Sequence, residues 1–276
     1  MPEHPHIRAG LTPWQIIQLS RHPDRPHMLD YLPLITSHFT ELHGDRCYSD
    51  DKCLIGGIAR LEEQSVMFIG HQKGRTPQEI ASRNYGMPRS GGFRKALRLM
   101  KLAEKFGMPV VTLLDTPGAD PGEEAHTHGS GEAIARNLFH MMRLQVPVIS
   151  VIIGEGGSGG ALGIGIGDRL YMQQYTYCSV VSPESCSAIL WRNLAHTITA
   201  ANQLQLTARH LQYHRLIDGI IPEPIGGAHM DYAAAALMLK QCISRSLQQV
   251  QAIPAAQRIT DRINKYASYG IYDVRD

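Results

Sequence analysis

Glycine is concentrated in one place. Gly154, Gly156, Gly157, Gly159, Gly160, Gly163, Gly165 and Gly167 put eight glycines into a 14-residue window, where a chain with 26 glycines in 276 residues averages about 1.3. The window follows the β-branched run Val148–Ile153, which reads as a buried strand. A strand that runs into glycines and then into Ala161-Leu162 predicts a helix over 160–166, opened by a tight turn whose bare N–H groups can approach a ligand. The start of a helix adds a positive dipole end, so the turn suits an anion. A chain built around such a turn is constrained to alternate strands with helices.

The rest of the sequence agrees with an α/β fold in one domain. Further strands are predicted at 54–59, 66–70, 110–114, 179–181 and 216–221, and helices at 93–106, 132–144 and 232–250. No low-complexity linker or internal repeat divides them. The segment Trp14–Leu19 and the Pro-broken stretch after it read either as an extension laid on the core or a partner, or as a surface arm. We set that extension at residues 1–28 and the main domain at 29–276. With 27 Lys+Arg against 25 Asp+Glu the formal charge is +2, too small for a nucleic-acid or membrane-surface binder driven by charge. Five cysteines without a C-x-x-C pair suggest neither disulfides nor a zinc ribbon, and a reducing cytoplasm is expected. The N-terminus has no signal-peptide pattern and no run is long enough to span a membrane. His4/His6, His126/His128 and His210/His214 lack the context of H-E-x-x-H, so no metal site is expected.

Two stretches carry the chemistry: VVTLLDTPGADPG at 110–122 and VISVIIGEGGSGGAL at 148–162. The second satisfies three patterns. Gly154-x-Gly156-x-x-Gly159 fits a dinucleotide fingerprint but lacks the acidic residue about twenty positions on. Gly156-x-Ser158-x-Gly160 fits a hydrolase nucleophile elbow, with Asp218 and His229 following in the right order. Against it, no HGGG-like loop lies upstream, and flanking Gly157 and Gly159 make the turn looser than a strained elbow needs. In the third reading no side chain reacts. The backbone amides of Gly159 and Gly160 form an oxyanion hole and Ser158 only caps the helix. Close strand-on-helix packing explains the same glycines without any ligand.

Longer strings identify a family resemblance. GDR at 44–46, DDKCLIGGIARL at 50–61, GHQKGR at 70–75, RNYGMP at 83–88, FRKALRLMKLAEKFGMPV at 93–110, DTPGA at 115–119, GEAIARNL at 131–138, IIGEGGSGGAL at 152–162, SPESCSAILW at 182–191 and LIDGIIPEPIGGAH at 216–229 carry a resemblance that runs from about Trp14 to the C-terminus. They resemble the alpha subunits of multisubunit bacterial and plastid acetyl-coenzyme A carboxylase carboxyltransferases.

The resemblance implies a crotonase-like (ClpP/crotonase) ββα superhelix. It implies a heterotetramer of two alpha and two beta subunits that moves carboxyl from carboxybiotin, held on a biotin carboxyl carrier protein, to acetyl-coenzyme A. The malonyl-coenzyme A formed serves fatty acid synthesis, within a larger ATP-using complex. By the family pattern Gly159 and Gly160 hold the ureido oxygen of biotin, with Gly156 and Gly157 beside them, and Gly118-Ala119 belongs to the second loop of the site. The beta subunit supplies the other oxyanion hole and a zinc module, so no metal is expected in this chain. Biotin nitrogen is the base, so no catalytic His or carboxylate is needed. Lys73 and Arg75, in a loop just past a strand, are candidates to bind substrate. Arg94, Arg98, Lys101 and Lys105 share one helix face, which could meet coenzyme A phosphates, an acidic partner or only solvent.

The chain departs from the family pattern in three ways. Asp120 replaces the usual Tyr after DTPGA, the loop reads GEEAHTHGSGE at 122–132, and the long N-terminal helix of many alpha subunits is missing before Trp14. A specialised or non-catalytic paralogue is therefore the alternative to a working subunit.

Overall fold

The apolar runs become the strands of one mixed sheet in a computed structural model that describes residues 10–270. In chain order they are β1 (Ser37–Glu41), β2 (Leu54–Leu61), β3 (Gln64–His71), β4 (Val110–Thr116), β5 (Val148–Gly157), β6 (Arg169–Gln173), β7 (Tyr177–Ser179) and β8 (Gly219–Ile221). The sheet runs β1-β2-β3-β4-β5-β6-β8, with β7 paired to the end of β5. The first three strands are antiparallel and every later pairing is parallel.

Both faces of the sheet are covered, which is why the central strands are buried along their whole length and largely apolar. Val110, Leu114, Val148 and Ile152 point into one core, filled by Phe93, Ala96, Leu99 and Met100 of the Ser90–Lys105 helix and by Ala133 and Met141 of the Ser130–Met141 helix. Val111, Leu113, Ile149, Val151 and Ile153 point the other way. There they meet Met28, Tyr31 and Leu32 of the Met28–Ile35 helix and Leu239, Ile243 and Val250 of the Tyr232–Gln251 helix. This period-2 alternation fixes the register, because a slip of one residue would exchange the two cores.

The N-terminal segment is packed rather than free. Its Pro13–Ser20 helix starts at a Thr12–Gln15 capping box and buries Ile17 against Tyr177, Ala201 and Leu206. Arg25 is enclosed and pairs with Glu223 at 2.7 Å. The surface-arm reading is therefore corrected for residues 10–27. Residues 1–9, with His4 and His6, lie outside the described part.

Several boundaries also move. The helix expected at 160–166 is the short Ser158–Leu162, the strand expected at 179–181 is Tyr177–Ser179, and β8 occupies only the end of 216–221. Strands β1 and β6 were not expected at all. The Ala255–Ala267 helix was also missed, because it turns Arg258 and Arg262, not apolar residues, to the interior.

Candidate active site

Parallel strands β4 and β5 end side by side, and each ends in one of the two glycine loops, which places both at the carboxyl edge where α/β sheets bind ligands. The loops touch through bare backbone. A Cβ on Gly157 would lie 2.1 Å from the Pro117 carbonyl oxygen, and one on Gly160 would lie 2.5 Å from the Gly118 carbonyl carbon and 2.7 Å from the Ala119 nitrogen. Glycine is thus required at both positions by close approach. Gly159 differs: a Cβ there would meet only the Ile134 side chain, Cδ1 at 3.4 Å, so no backbone closes on this half-buried residue. Gly118, Ala119, Gly157 and Gly160 are brought together as expected. The amides of the first turn after β5 have no intrahelical acceptor.

Ser158 corrects two expectations. The cap of the short helix is Gly157, and Ser158 follows it with no capping bond from its side chain. Its φ of +45° puts a non-glycine residue in the left-handed region, so the turn is strained despite its glycines. The partners of a hydrolase triad are engaged elsewhere. Asp218 accepts the Leu170 amide at 2.7 Å and pairs with Lys265, while His229 stacks on His22 with ring centres 3.8 Å apart.

Beneath the two loops lies a buried ion network. Lys73 Nζ sits 2.7 Å from Asp115 Oδ1 and 2.7 Å from Glu155 Oε1. Asp115 opens DTPGA at the end of β4, and Glu155 is the one charged residue among the glycines of the second loop. One lysine therefore ties the two loops together. His27 Nδ1 lies 2.9 Å from Asp115, and Arg21 reaches Glu155 at 2.8 Å and Glu184 at 2.7 Å, so the N-terminal segment completes the network. Burial pushes both carboxyls up, but Lys73 overcomes it, with His27 acting on Asp115 and Arg21 on Glu155, and both stay below the usual carboxylate range. Burial lowers Lys73 and the two carboxylates more than reverse that, so it stays charged.

Arg75 is held by Asp30 at 2.7 Å and also donates to the Arg25 carbonyl and the Tyr232 hydroxyl. Of the basic helix face, Arg94 pairs with Asp45 at 2.9 Å and Arg98 donates to the carbonyls of Leu42, His43 and Gly44. These two clamp the β1–β2 connection, whereas Lys101 and Lys105 are exposed. Asp120 pairs with Arg89 at 2.9 Å and accepts from Asn84 at 3.0 Å, so the unusual carboxylate fastens the RNYGMP loop to the DTPGA loop.

Five contributors were not picked out from sequence, among them Asp115 and Glu155, which lie inside the two motifs but were given no role. Arg21 and His27 lie in the extension, and His71 closes β3. The His71 ring is fully buried; its Nδ1 accepts the Asp115 amide at 3.3 Å, and Nε2 has no partner. Burial holds its pKa down at about 4, against the pull of Asp115, so the ring is neutral. Two clefts adjoin the loops. One, about 200 Å³, is apolar and includes Gly156, Ser158, Leu162 and Val180; the other, about 370 Å³, includes Lys73, Glu155 and Tyr85. Among the described residues no group of three or more His, Cys, Asp or Glu is placed to hold a metal ion, and no helix is long and apolar enough to cross a membrane.

The profile of a family described as acetyl co-enzyme A carboxylase carboxyltransferase-like matches residues 3–270. A Methylococcus capsulatus protein named acetyl-coenzyme A carboxylase carboxyl transferase subunit alpha is 52% identical over 267 residues, covering 97% of this chain and 83% of its own. A Flavobacterium johnsoniae protein of the same name is 51% identical over 267 residues, covering 96% and 84%. Among solved structures, transcarboxylase 12S aligns with a TM-score of 0.65 at 19% identity, over 80% of this chain and 40% of that one. A Pseudomonas malonate decarboxylase hetero-tetramer in complex with coenzyme A gives 0.65 at 16% identity, over 80% and 89%. These likenesses bear out the crotonase-like fold.

Proposed function

The chain belongs to the acetyl-coenzyme A carboxylase carboxyltransferase-like family, among the alpha subunits, and on that premise we propose that it transfers carboxyl from carboxybiotin to acetyl-coenzyme A together with a beta subunit. The observation that carries the reading is the meeting of the two glycine loops, with Gly160 backed directly onto Gly118-Ala119. The backbone amides of Gly159 and Gly160 hold the ureido oxygen on which charge develops as the carboxyl group leaves. Preorganised amides suit this task because they need no reorganisation when the charge appears. Gly156 and Gly157 let the ring approach, the apolar cleft beside Ser158 accepts its hydrocarbon part, and Gly118-Ala119 walls the other side.

Lys73 serves the substrate through the loops it joins, since both its carboxylate partners are internal, and Arg75 serves in the same way through Asp30. The proton of the acetyl methyl goes to the ureido nitrogen freed by decarboxylation, so this chain supplies no general base. The assembly we propose is an alpha2beta2 heterotetramer in the cytoplasm, served by biotin carboxyl carrier protein, with zinc in the beta subunit and the malonyl product feeding fatty acid synthesis.

Co-expression with the beta subunit of the same genome, followed by malonyl-coenzyme A-dependent carboxylation of free biotin, tests the reading. Turnover by the purified complex is expected. A well-formed complex without turnover would favour the non-catalytic paralogue.

A further inference from the structure

The lip of the 370 Å³ cleft holds a residue that the preceding reading does not use. Asn84, Tyr85 and Gly86 have φ of +46°, +56° and +77°, three left-handed residues in a row. Asn and Gly accept that backbone; a bulky tyrosine does so only at a cost, and the surrounding structure has to impose it. Here it does. The Gly86 carbonyl accepts the Thr116 hydroxyl at 2.7 Å, Asn84 Nδ2 donates to the Met87 carbonyl at 2.8 Å, and the Asp120 amide donates to the Pro88 carbonyl at 3.0 Å. A Cβ on Gly86 would meet Lys73 Cγ at 2.8 Å, so the turn lies directly on the lysine that joins the two glycine loops.

The result of this strain is an aromatic ring turned outward, 62% exposed, over the cleft. The cations that line the cleft are already committed: Lys73 to Asp115 and Glu155, Arg21 to Glu155 and Glu184, Arg75 to Asp30. Of the aromatic rings that line the cleft, His22 is already stacked on His229, which leaves the exposed face of Tyr85 for a ligand. We propose that Tyr85 is the stacking surface of a substrate subsite and takes a planar nitrogen-containing ring. The inference rests on the carboxyltransferase reading, under which two substrates carry such a ring, biotin its ureido ring and coenzyme A its adenine.

The test compares Tyr85→Phe and Tyr85→Asn with wild type in the purified complex. Asparagine tolerates the left-handed backbone but has no ring. Tyr85→Asn should raise KM about three- to tenfold for one substrate, biotin or malonyl-coenzyme A, leave kcat within about twofold, and keep or raise Tm. Tyr85→Phe should behave as wild type. The substrate whose KM moves identifies the ring. Calorimetric titration of the complex with free biotin, and separately with coenzyme A, reads the same loss of affinity without turnover, so an inactive wild-type complex would count against the carboxyltransferase reading alone. Unchanged KM and affinity for both probes overturn the proposal. So does a Tyr85→Asn variant whose one defect is poor assembly with the beta subunit, which would make Tyr85 a subunit contact.

Discussion

Replacing Lys73 with methionine keeps the length of the side chain and removes its charge. In the native protein Nζ sits 2.7 Å from each of two carboxylates, Asp115 and Glu155, whose side chains are 2% and 8% exposed. Taking away the cation leaves two enclosed negative charges, with His27 and the Glu155 amide the remaining partners of Asp115 and Arg21 and Tyr177 those of Glu155. Removing one partner of a buried pair costs roughly 3–5 kcal/mol, and the lower end applies because Arg21 still serves Glu155. For a chain of this size about 3 kcal/mol lowers Tm by roughly 6–12 °C. The deficit should depend on pH. Asp115 and Glu155 are held below their usual range in the native protein, so their contribution is present at neutral pH and is lost as acid protonates them. In the Met variant they take up protons more readily, which relieves the repulsion, so the gap to wild type should narrow between pH 7 and pH 5. Thermal unfolding followed by circular dichroism at both pH values reads this. A Tm within about 2 °C of wild type at pH 7, combined with a raised substrate KM, would refute the reasoning and make Lys73 a direct substrate ligand.

Two further outcomes follow from the same electrostatics. His71 is kept neutral with a pKa of about 4 against an ordinary 6.5, so the unfolded chain binds a proton that the folded one refuses; stability should fall by roughly 3 kcal/mol as pH drops from 6.5 to 4, and His71→Gln should flatten that slope in denaturant titrations. Arg262 is enclosed, pairs with Asp168 at 2.8 Å and donates to the Leu144 and Val146 carbonyls, so Arg262→Met should cost roughly 3–5 kcal/mol in urea unfolding, whereas exchange of the exposed Arg136–Glu132 pair should cost under about 1.

Sequence alone exposes the parts of the fold whose signal is local. The strands at 110–114 and 148–153 are continuous apolar runs, and the glycine window marks its own turn. The Ser90–Lys105 helix shows its apolar stripe from Phe93 onward. What stays hidden depends on distant partners. Arg21 and Glu155 are 134 residues apart, and nothing near Arg21 says that its extension reaches the glycine loop. Arg258 and Arg262 carry no local sign of burial, yet they are buried because carbonyls and Asp168 converge on them. β6, Arg-Leu-Tyr-Met-Gln, has neither alternation nor a β-branched residue. At the site, the glycines were legible as a backbone device, but the strain at Ser158 was not, since neighbouring glycines suggest freedom and the structure puts the left-handed angle on the serine. Asp120 reads as a lost aromatic wall and becomes, in the fold, a tie between two loops.

In the proposed reaction backbone amides, not a side chain of this chain, stabilise the charge that develops. This role is tested most directly by the kcat of biotin carboxylation in the complex with Ser158→Ala and with Gly160→Ala. The serine carries no hydrogen-bonded base, and any side chain at Gly160 must displace the backbone of Gly118-Ala119. Ser158→Ala should keep kcat within about threefold, and Gly160→Ala should lower it on the order of 100-fold or more, the scale of losing an oxyanion donor. Loss of activity in Ser158→Ala, with Gly160→Ala still turning over, would contradict the account.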